Sequence, residues 1–253
     1  SNIEENRGDG KPFFVYLALQ APHDPFQLPA EWLDRYKGRY DEGYEDTRAA
    51  RIERMKALGI LDPDATVFPR LPNVPAWNDL SAEEKRESAR RMELYAAMVE
   101  NMDANIGKLI GYLKTNGLYD NTLIMFLSDN GPEGNIMEMG APWDNSNIED
   151  WGKKGTFIQY GPAWAQAGAG PFRMFKGFLS EGGIRTPLII SGKDVTGSGR
   201  ISDALVHVTD IPATILDAAR IAHPDTFDGK TVAPLQGRTL APILSKADDA
   251  VRG

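Results

Sequence analysis

Two hydrophobic patterns alternate along the chain. The first is a continuous apolar run with the length and the branched or aromatic content of a buried strand. It occurs in residues 13–19 (FFVYLAL), 122–128 (TLIMFLS) and 186–192 (TPLIISG). The second is an amphipathic stripe at three- and four-residue spacing, formed by Tyr95, Val99, Met102, Ile106, Leu109 and Leu113. This stripe predicts a long core-facing helix over 81–117.

The helix signals around these runs are specific. Ser81 and Glu84 have capping-box spacing at the start of the long helix, and Asn116-Gly117 ends it. A second helix is predicted in 209–221 (TDIPATILDAARI), capped near Asp210. Helices that alternate with all-apolar strands predict an α/β fold whose sheet is covered on both faces.

Two segments lie outside this alternation. Residues 25–80 are an irregular excursion rich in proline and charge, with one short helix expected in 45–59. Residues 131–183 are rich in glycine, proline and aromatic side chains. A loop region of that length in a compact domain is usually functional, so 131–183 is predicted to carry an active site.

Composition narrows the function classes. The net charge of -8, without a long basic run, argues against a nucleic-acid surface. No apolar run reaches the roughly 18 residues of a membrane span, so no membrane partner is expected. The 253 residues contain no cysteine, which excludes disulfides, thiolate metal sites and cysteine nucleophiles among them.

Polar clusters follow the apolar strands, where ligands gather in α/β sheets. Asp129 and Asn130 offer hard oxygen ligands suited to Ca²⁺ or Mg²⁺, although Asp-Asn-Gly is also ordinary turn chemistry. His23, in the cluster Gln20–Asp24, is either a proton donor near an anion or a surface residue. Lys176 lies among phenylalanines and either binds an anion or extends over apolar surface. The other histidines have no metal spacing with His23, which disfavours zinc.

Five segments in order resemble the later part of the catalytic domain of a bacterial arylsulfatase of the formylglycine-dependent sulfatase family. They are FFVYLALQAPHDP, YAAMVENMDANIGKLIGYL, NTLIMFLSDNGPEG, GPAWAQA and MFKGFLSEGGIRTPLII. The resemblance covers nearly the whole chain. It implies a partial alkaline phosphatase-like sandwich with a mixed, mostly parallel sheet and helices on both faces.

The resemblance also implies roles. Asp129 and Asn130 would complete a Ca²⁺ site. His23 and Lys176 would be catalytic and substrate-binding, holding the sulfate and assisting departure of the phenolic oxygen. Trp164, in the GPAWAQA loop, would form a wall of the substrate pocket. The expected partner is a small-molecule aryl sulfate ester.

The chain also departs from the family pattern. Sulfatases of this type carry a C-x-P-S-R motif whose cysteine becomes the formylglycine nucleophile, and neither that motif nor a serine version occurs here. Residues 1–253 are therefore expected to be an incomplete catalytic domain, an internal fragment without the N-terminal half and the C-terminal subdomain. The fragment would hold half a metal site and be inactive alone.

Two alternatives stay open on the sequence alone. Enzymes with the same fold cleave phosphate monoesters, phosphate diesters or phosphonates, so the ester could differ. The chain could instead be a non-catalytic interaction fragment that self-associates through exposed sheet edges.

Overall fold

The computed structural model describes residues 2–6, 10–197, 199–246 and 250–251. Within them the chain forms two compact units. The first unit draws its described residues from 1–18, 120–125 and 190–253, and the second consists of residues 19–119 and 126–189. All candidate site residues belong to the second unit. No helix in the described ranges is long and apolar enough to cross a membrane.

Within the described residues three α-helices precede the first strand, so helices and strands do not alternate as regularly as the hydrophobic pattern predicts. The α-helices of the described residues are α1 (Asn2–Asn6), α2 (Gly43–Ala57), α3 (Ala82–Thr115), α4 (Gly161–Ala169), α5 (Glu181–Ile184), α6 (Asp210–Ala219) and α7 (Ala241–Leu244). The strands are β1 (Leu123–Leu127), β2 (Leu188–Gly192), β3 (Thr226–Phe227) and β4 (Lys230–Thr231). Short 3-10 turns occupy Ala30–Trp32, Trp77–Asp79, Tyr119–Asn121 and Ile148–Asp150.

The long helix α3 begins with the predicted capping box. The Ser81 hydroxyl accepts from the Glu84 N–H, and the Glu84 carboxylate accepts from the Ser81 N–H at 2.8 Å. Its buried face differs from the predicted stripe, of which only Leu113 is fully buried. The core contact is made by Ala89, Leu94 and Met98 instead, one turn or more before most of the predicted stripe.

An aromatic core holds the second unit together. Helices α2 and α4 pack against each other, and both contribute to a cluster of buried rings. The Trp164 ring makes edge contacts with Tyr40, Tyr44 and Trp77, at centroid distances of 5.5, 5.7 and 6.3 Å. Such pairs add attraction beyond the area that they bury, so this cluster fixes the segments that carry the site.

The sheets of the described residues are small. β1 pairs with β2, and β3 pairs with β4 as an antiparallel hairpin. The predicted buried character of residues 122–128 is wrong at the end of the strand, because Phe126 and Leu127 are exposed. The second apolar strand shares this character, since Ile189 of β2 is 60% exposed. A strand is buried on both faces only where other elements cover both faces of its sheet, and the exposed side chains show that this cover is incomplete within the described residues.

Residues 13–19 contradict the predicted buried strand. They have neither helix nor strand structure, and most of their large side chains are exposed, with Phe14 at 68% and Tyr16 at 83%. A strand exists only where a neighbouring strand provides hydrogen-bond partners, and no described residue pairs with this run in a ladder. Residues 13–19 therefore have the composition of a strand, but no strand of the described residues pairs with them.

The segment 131–183 is more ordered than a loop. It contains α4, α5 and buried residues such as Trp151 and Ile158. The sequence GPAWAQA, predicted as a loop, is the start of α4. Gly161 enters the helix with a positive φ of 78°, Pro162 occupies the first turn, where its missing N–H is tolerated, and alanines favour the helix that follows.

Candidate active site

His23 and Lys176 lie side by side in the second unit although 153 residues separate them in sequence. Nζ of Lys176 is 2.9 Å from Nε2 of His23. An ammonium group can only donate, so Nε2 is the acceptor in this contact. The structure therefore brings together the two residues that the sequence nominated for catalysis.

The loop that carries His23 is anchored directly after it. Buried Phe26 donates its N–H to the Ile158 carbonyl at 3.0 Å. Its ring contacts Tyr95 and Tyr160 at centroid distances of 5.6 and 5.5 Å. Burial raises the pKa of the Tyr160 phenol well above its usual value, so this ring stays neutral. The backbone bond and the ring contacts of Phe26 thus anchor the segment that follows His23 to the core.

Backbone hydrogen bonds place Lys176 against the segment that follows β1. The Lys176 N–H donates to the Pro132 carbonyl, and the Gly131 N–H donates to the Gly183 carbonyl, both at 2.9 Å. A methyl group on Gly131 would overlap the Gly182 carbonyl, and one on Gly182 would overlap the Met174 carbonyl. The glycines of "DNGPEG" and "SEGGIR" are therefore required for two backbone segments to approach this closely.

Substituting these glycines should destabilise the protein. We expect Gly182→Ala to lower the free energy of unfolding by about 1–3 kcal/mol, because the new methyl group must push a backbone carbonyl aside. Gly111→Ala is the control, since an added methyl there meets nothing within 4 Å. That control should gain about 0.5–1 kcal/mol, because alanine is the better helix former. Urea unfolding of both variants measures the difference, and equal stabilities would contradict the packing described.

Glu133 holds Lys176 from the other side. Its Oε2 is 3.1 Å from Lys176 Nζ, and its Oε1 accepts from the Asn135 N–H at 2.8 Å. Burial is the largest single influence on this carboxyl and raises its pKa. The hydrogen bonds from Asn135 and Lys176 together outweigh burial and hold the pKa below its usual value. Glu133 is therefore anionic at neutral pH and fixes the ammonium beside His23.

Asp24 contacts the opposite nitrogen of the His23 ring. Nδ1 lies 2.9 Å from the Asp24 carbonyl oxygen and 2.6 Å from Asp24 Oδ1. The Asp24 side chain is only 3% exposed. Its Oδ2 accepts from Gln159 Nε2 at 2.5 Å, and Gln159 Oε1 accepts from the Met137 N–H at 2.8 Å. The Asp24 carboxylate, which is bonded to the Gln159 amide, thus contacts the His23 ring on its Nδ1 side.

Asp129 and Asn130 follow β1 after Ser128, where the sequence predicted a metal half-site. Asp129 is exposed. Asn130 Nδ2 donates to the Gly131 carbonyl at 2.9 Å, the local bond expected of a turn. This bond leaves Oδ1 of Asn130 available, so the pair offers oxygen donors suited to a hard cation. In the described part of the chain, no group of three or more His, Cys, Asp or Glu side chains is arranged to hold a metal.

Trp164 does not line a pocket. Its side chain is 1% exposed, and its Nε1–H donates to the Ser88 carbonyl at 2.9 Å. The predicted role as a pocket wall is corrected to one in the core. Helix α4 turns this indole toward α2, where the aromatic cluster covers it.

Three residues of the site carried no assignment from the sequence. Asp24 and Glu133 lay inside segments that the sequence singled out, next to His23 and after Asn130. Their charges beside candidate catalytic groups were the available signal. Gln159 offered none, because its contact with Asp24 joins residues 135 positions apart.

The sulfatase family profile matches residues 2–221. This chain belongs to the sulfatase family. An uncharacterized sulfatase of Schizosaccharomyces pombe is 42% identical over 244 residues, which cover 92% of this chain and 44% of that protein. An arylsulfatase of Klebsiella aerogenes is 39% identical over 241 residues, which cover 92% of this chain and 52% of that protein. This sulfatase chain thus spans about half the length of these curated relatives.

Solved structures agree on the fold. A crystal structure of i-CgsB in complex with k-i-k-neocarrahexaose matches with a TM-score of 0.56 and 21% identity, covering 100% of this chain and 39% of that chain. The structure of a protein in complex with its substrate D-glucosamine-2-N,6-O-disulfate matches with a TM-score of 0.52 and 22% identity. The match covers 100% of this chain and 51% of that chain. The predicted α/β fold class is confirmed by these structures.

Proposed function

We propose that this sulfatase chain is part of an arylsulfatase, a sulfuric ester hydrolase that cleaves aryl sulfate esters. The observation that carries the proposal is the 2.9 Å contact between Lys176 Nζ and His23 Nε2. It sets a cation beside a proton-transfer group, the pair needed at the two charged ends of a breaking sulfate ester. The 39% identity to the K. aerogenes arylsulfatase supports the aryl ester as the substrate class.

Lys176 is equipped to bind the sulfate group. An ammonium has three donors, and two of them face His23 Nε2 and Glu133 Oε2. The third is left to donate to a sulfate oxygen. The Lys176 side chain is 29% exposed, so an anion can reach it without crossing the core.

His23 is equipped to assist the leaving group. Cleavage develops negative charge on the phenolic oxygen, and a proton supplied there lowers the barrier. Imidazole groups take up and release protons in the physiological range. The protonated ring carries a proton on each nitrogen, so it can give its Nε2 proton to the departing oxygen and is left as the neutral ring with a proton on Nδ1. The His23 side chain is 53% exposed, which leaves its ring open to a small ester.

Asp129 and Asn130 are proposed as two ligands of a Ca²⁺ ion, with the remaining ligands and a formylglycine nucleophile in a part of the protein outside residues 1–253. When bound, the ion would oppose the negative charge on the sulfate oxygens. Ca²⁺ takes six to eight oxygen ligands, and two side chains cannot fill that shell. We therefore also propose that the 253-residue chain alone is inactive and binds Ca²⁺ weakly or not at all.

The metal proposal predicts a calcium dependence. In a protein that contains this chain and the preceding sequence, a chelator should abolish aryl sulfate hydrolysis, and added Ca²⁺ should restore it. Asp129→Ala should raise the Ca²⁺ concentration for half-maximal activity at least about tenfold, because a charged ligand is lost. Asp144→Ala is the control, since Asp144 is exposed and its carboxylate bonds to Ser146. An unchanged calcium requirement in the Asp129 variant would contradict the assignment.

The function itself is tested by ester preference. The same longer protein, supplied with 4-nitrophenyl sulfate and 4-nitrophenyl phosphate at equal concentrations, should release nitrophenol faster from the sulfate. A clear preference for the phosphate would reassign the site to phosphate ester hydrolysis. The absence of turnover on both esters would contradict the proposal.

A further inference from the structure

Asp24 is buried in a way that constrains His23. Its Oδ2 is satisfied by Gln159, but its Oδ1 is buried without a hydrogen bond of regular geometry. The atom that approaches Oδ1 is His23 Nδ1, at 2.6 Å. A buried carboxylate oxygen left without a donor is strongly destabilising, so this position calls for a proton on Nδ1.

Every group around the ring favours the same tautomer. Nδ1 faces two oxygens of Asp24, its carbonyl and Oδ1, and both of these can only accept. Nε2 faces the Lys176 ammonium, which can only donate. A neutral imidazole satisfies both sides when its proton sits on Nδ1 and the lone pair of Nε2 points toward Nζ.

We propose that Asp24, oriented by Gln159, is a positioning residue that fixes His23 in the Nδ1–H tautomer with Nε2 directed at Lys176. The consequence for catalysis rests on the proposed function, whereas the tautomer does not. The arrangement orients the ring from the side away from the substrate, as carboxylates behind functional histidines do in other proteins.

The orientation of the Gln159 amide is fixed, and this makes the positioning of His23 by Asp24 testable. Its Oε1 accepts from the Met137 N–H, so its Nε2 must point at Asp24. In Asp24→Asn the new amide has to offer its oxygen to Gln159 and turn its NH₂ toward His23. Nδ1 then becomes an acceptor, and the proton moves to Nε2, where it opposes Lys176.

The measurement is the ¹⁵N spectrum of the imidazole nitrogens in ¹⁵N-histidine-labelled chain above the titration range. The chain has three histidines, and His23→Gln identifies the His23 signals. We expect a protonated Nδ1 and an unprotonated Nε2 in the wild type, and the reverse in Asp24→Asn. His207 and His223 should keep their signals and serve as internal references. A wild-type His23 protonated on Nε2 would overturn the proposal, even if Asp24→Asn failed to fold.

A double variant, Asp24→Asn with Gln159→Glu, provides the rescue. One oxygen of the introduced carboxylate still accepts from the Met137 N–H, and the other accepts from the NH₂ of the introduced amide. The oxygen of that amide then faces Nδ1 again, so the Nδ1–H tautomer should return. The two substitutions together preserve the size and the net charge of the wild-type pair. Failure of the double variant to restore the tautomer that Asp24→Asn loses would refute the role of Gln159.

The effect on catalysis is measured independently of the tautomer. In the longer protein, Asp24→Asn should lower kcat for an aryl sulfate about 10- to 100-fold with little change in KM, and the double variant should recover most of it. If wild-type protein hydrolyses no sulfate ester, the proposed function fails while the tautomer result stands. If it hydrolyses the ester and Asp24→Asn has wild-type kcat, the positioning role fails.

Discussion

Lys176→Ala should lower kcat/KM for an aryl sulfate at least about a hundredfold, or about 2.7 kcal/mol of transition-state stabilisation, in a protein that contains this chain and the preceding sequence. Two effects add in the same direction. The substitution removes the donor that faces the sulfate, and it leaves Glu133 without its 3.1 Å cation partner beside an anionic substrate. Initial rates over a range of ester concentrations measure the loss.

The control for this variant is Lys154→Ala, which removes an exposed lysine from the same unit. It should keep kcat/KM within about twofold of the wild type, because an exposed surface charge contributes little. Near-wild-type turnover of the Lys176 variant would remove this residue from the site.

His23→Gln should lower kcat by about 10²–10⁴, the range for a positioned general acid. The loss should depend on the leaving group. A phenol of high pKa needs a proton as it departs, whereas nitrophenol departs readily without one. We therefore expect the variant to lose most activity on unsubstituted phenyl sulfate and least on 4-nitrophenyl sulfate.

His223→Gln is the matched control, since it makes the same substitution in the other unit. It should leave the rates for both esters unchanged. An equal loss on both esters in the His23 variant would argue that His23 orients the substrate and transfers no proton.

Much of the structure of the second unit was predictable from its sequence. The capping box at Ser81 and Glu84 is local chemistry, so the start of α3 was predictable. His23 and Lys176 were singled out by the segments around them, and the structure places their side chains in contact, whereas their catalytic roles stay predictions. The resemblance predicted the sulfatase family and the α/β fold, and both are confirmed, whereas the arylsulfatase specificity that it implied stays a proposal.

The failures have a common physical cause. Residues 13–19 have the composition of a strand, but pairing depends on a neighbour, and none of the described residues provides a ladder. Trp164 was placed by its neighbours in sequence, whereas its burial depends on α2, more than a hundred residues earlier. Gln159 matters only through its bond to Asp24. Properties set by long-range packing were not accessible to patterns along the chain.

The most direct test of the site is a double-mutant cycle between His23 and Lys176. The kcat/KM for an aryl sulfate is measured for wild type, His23→Gln, Lys176→Ala and the combination of both. When two residues act as one unit, removing both lowers kcat/KM little more than removing one. The kcat/KM of the double variant should therefore lie within about tenfold of that of the less active single variant. If the two losses instead multiply fully, His23 and Lys176 act independently, and the account of a coupled pair at the sulfate is contradicted.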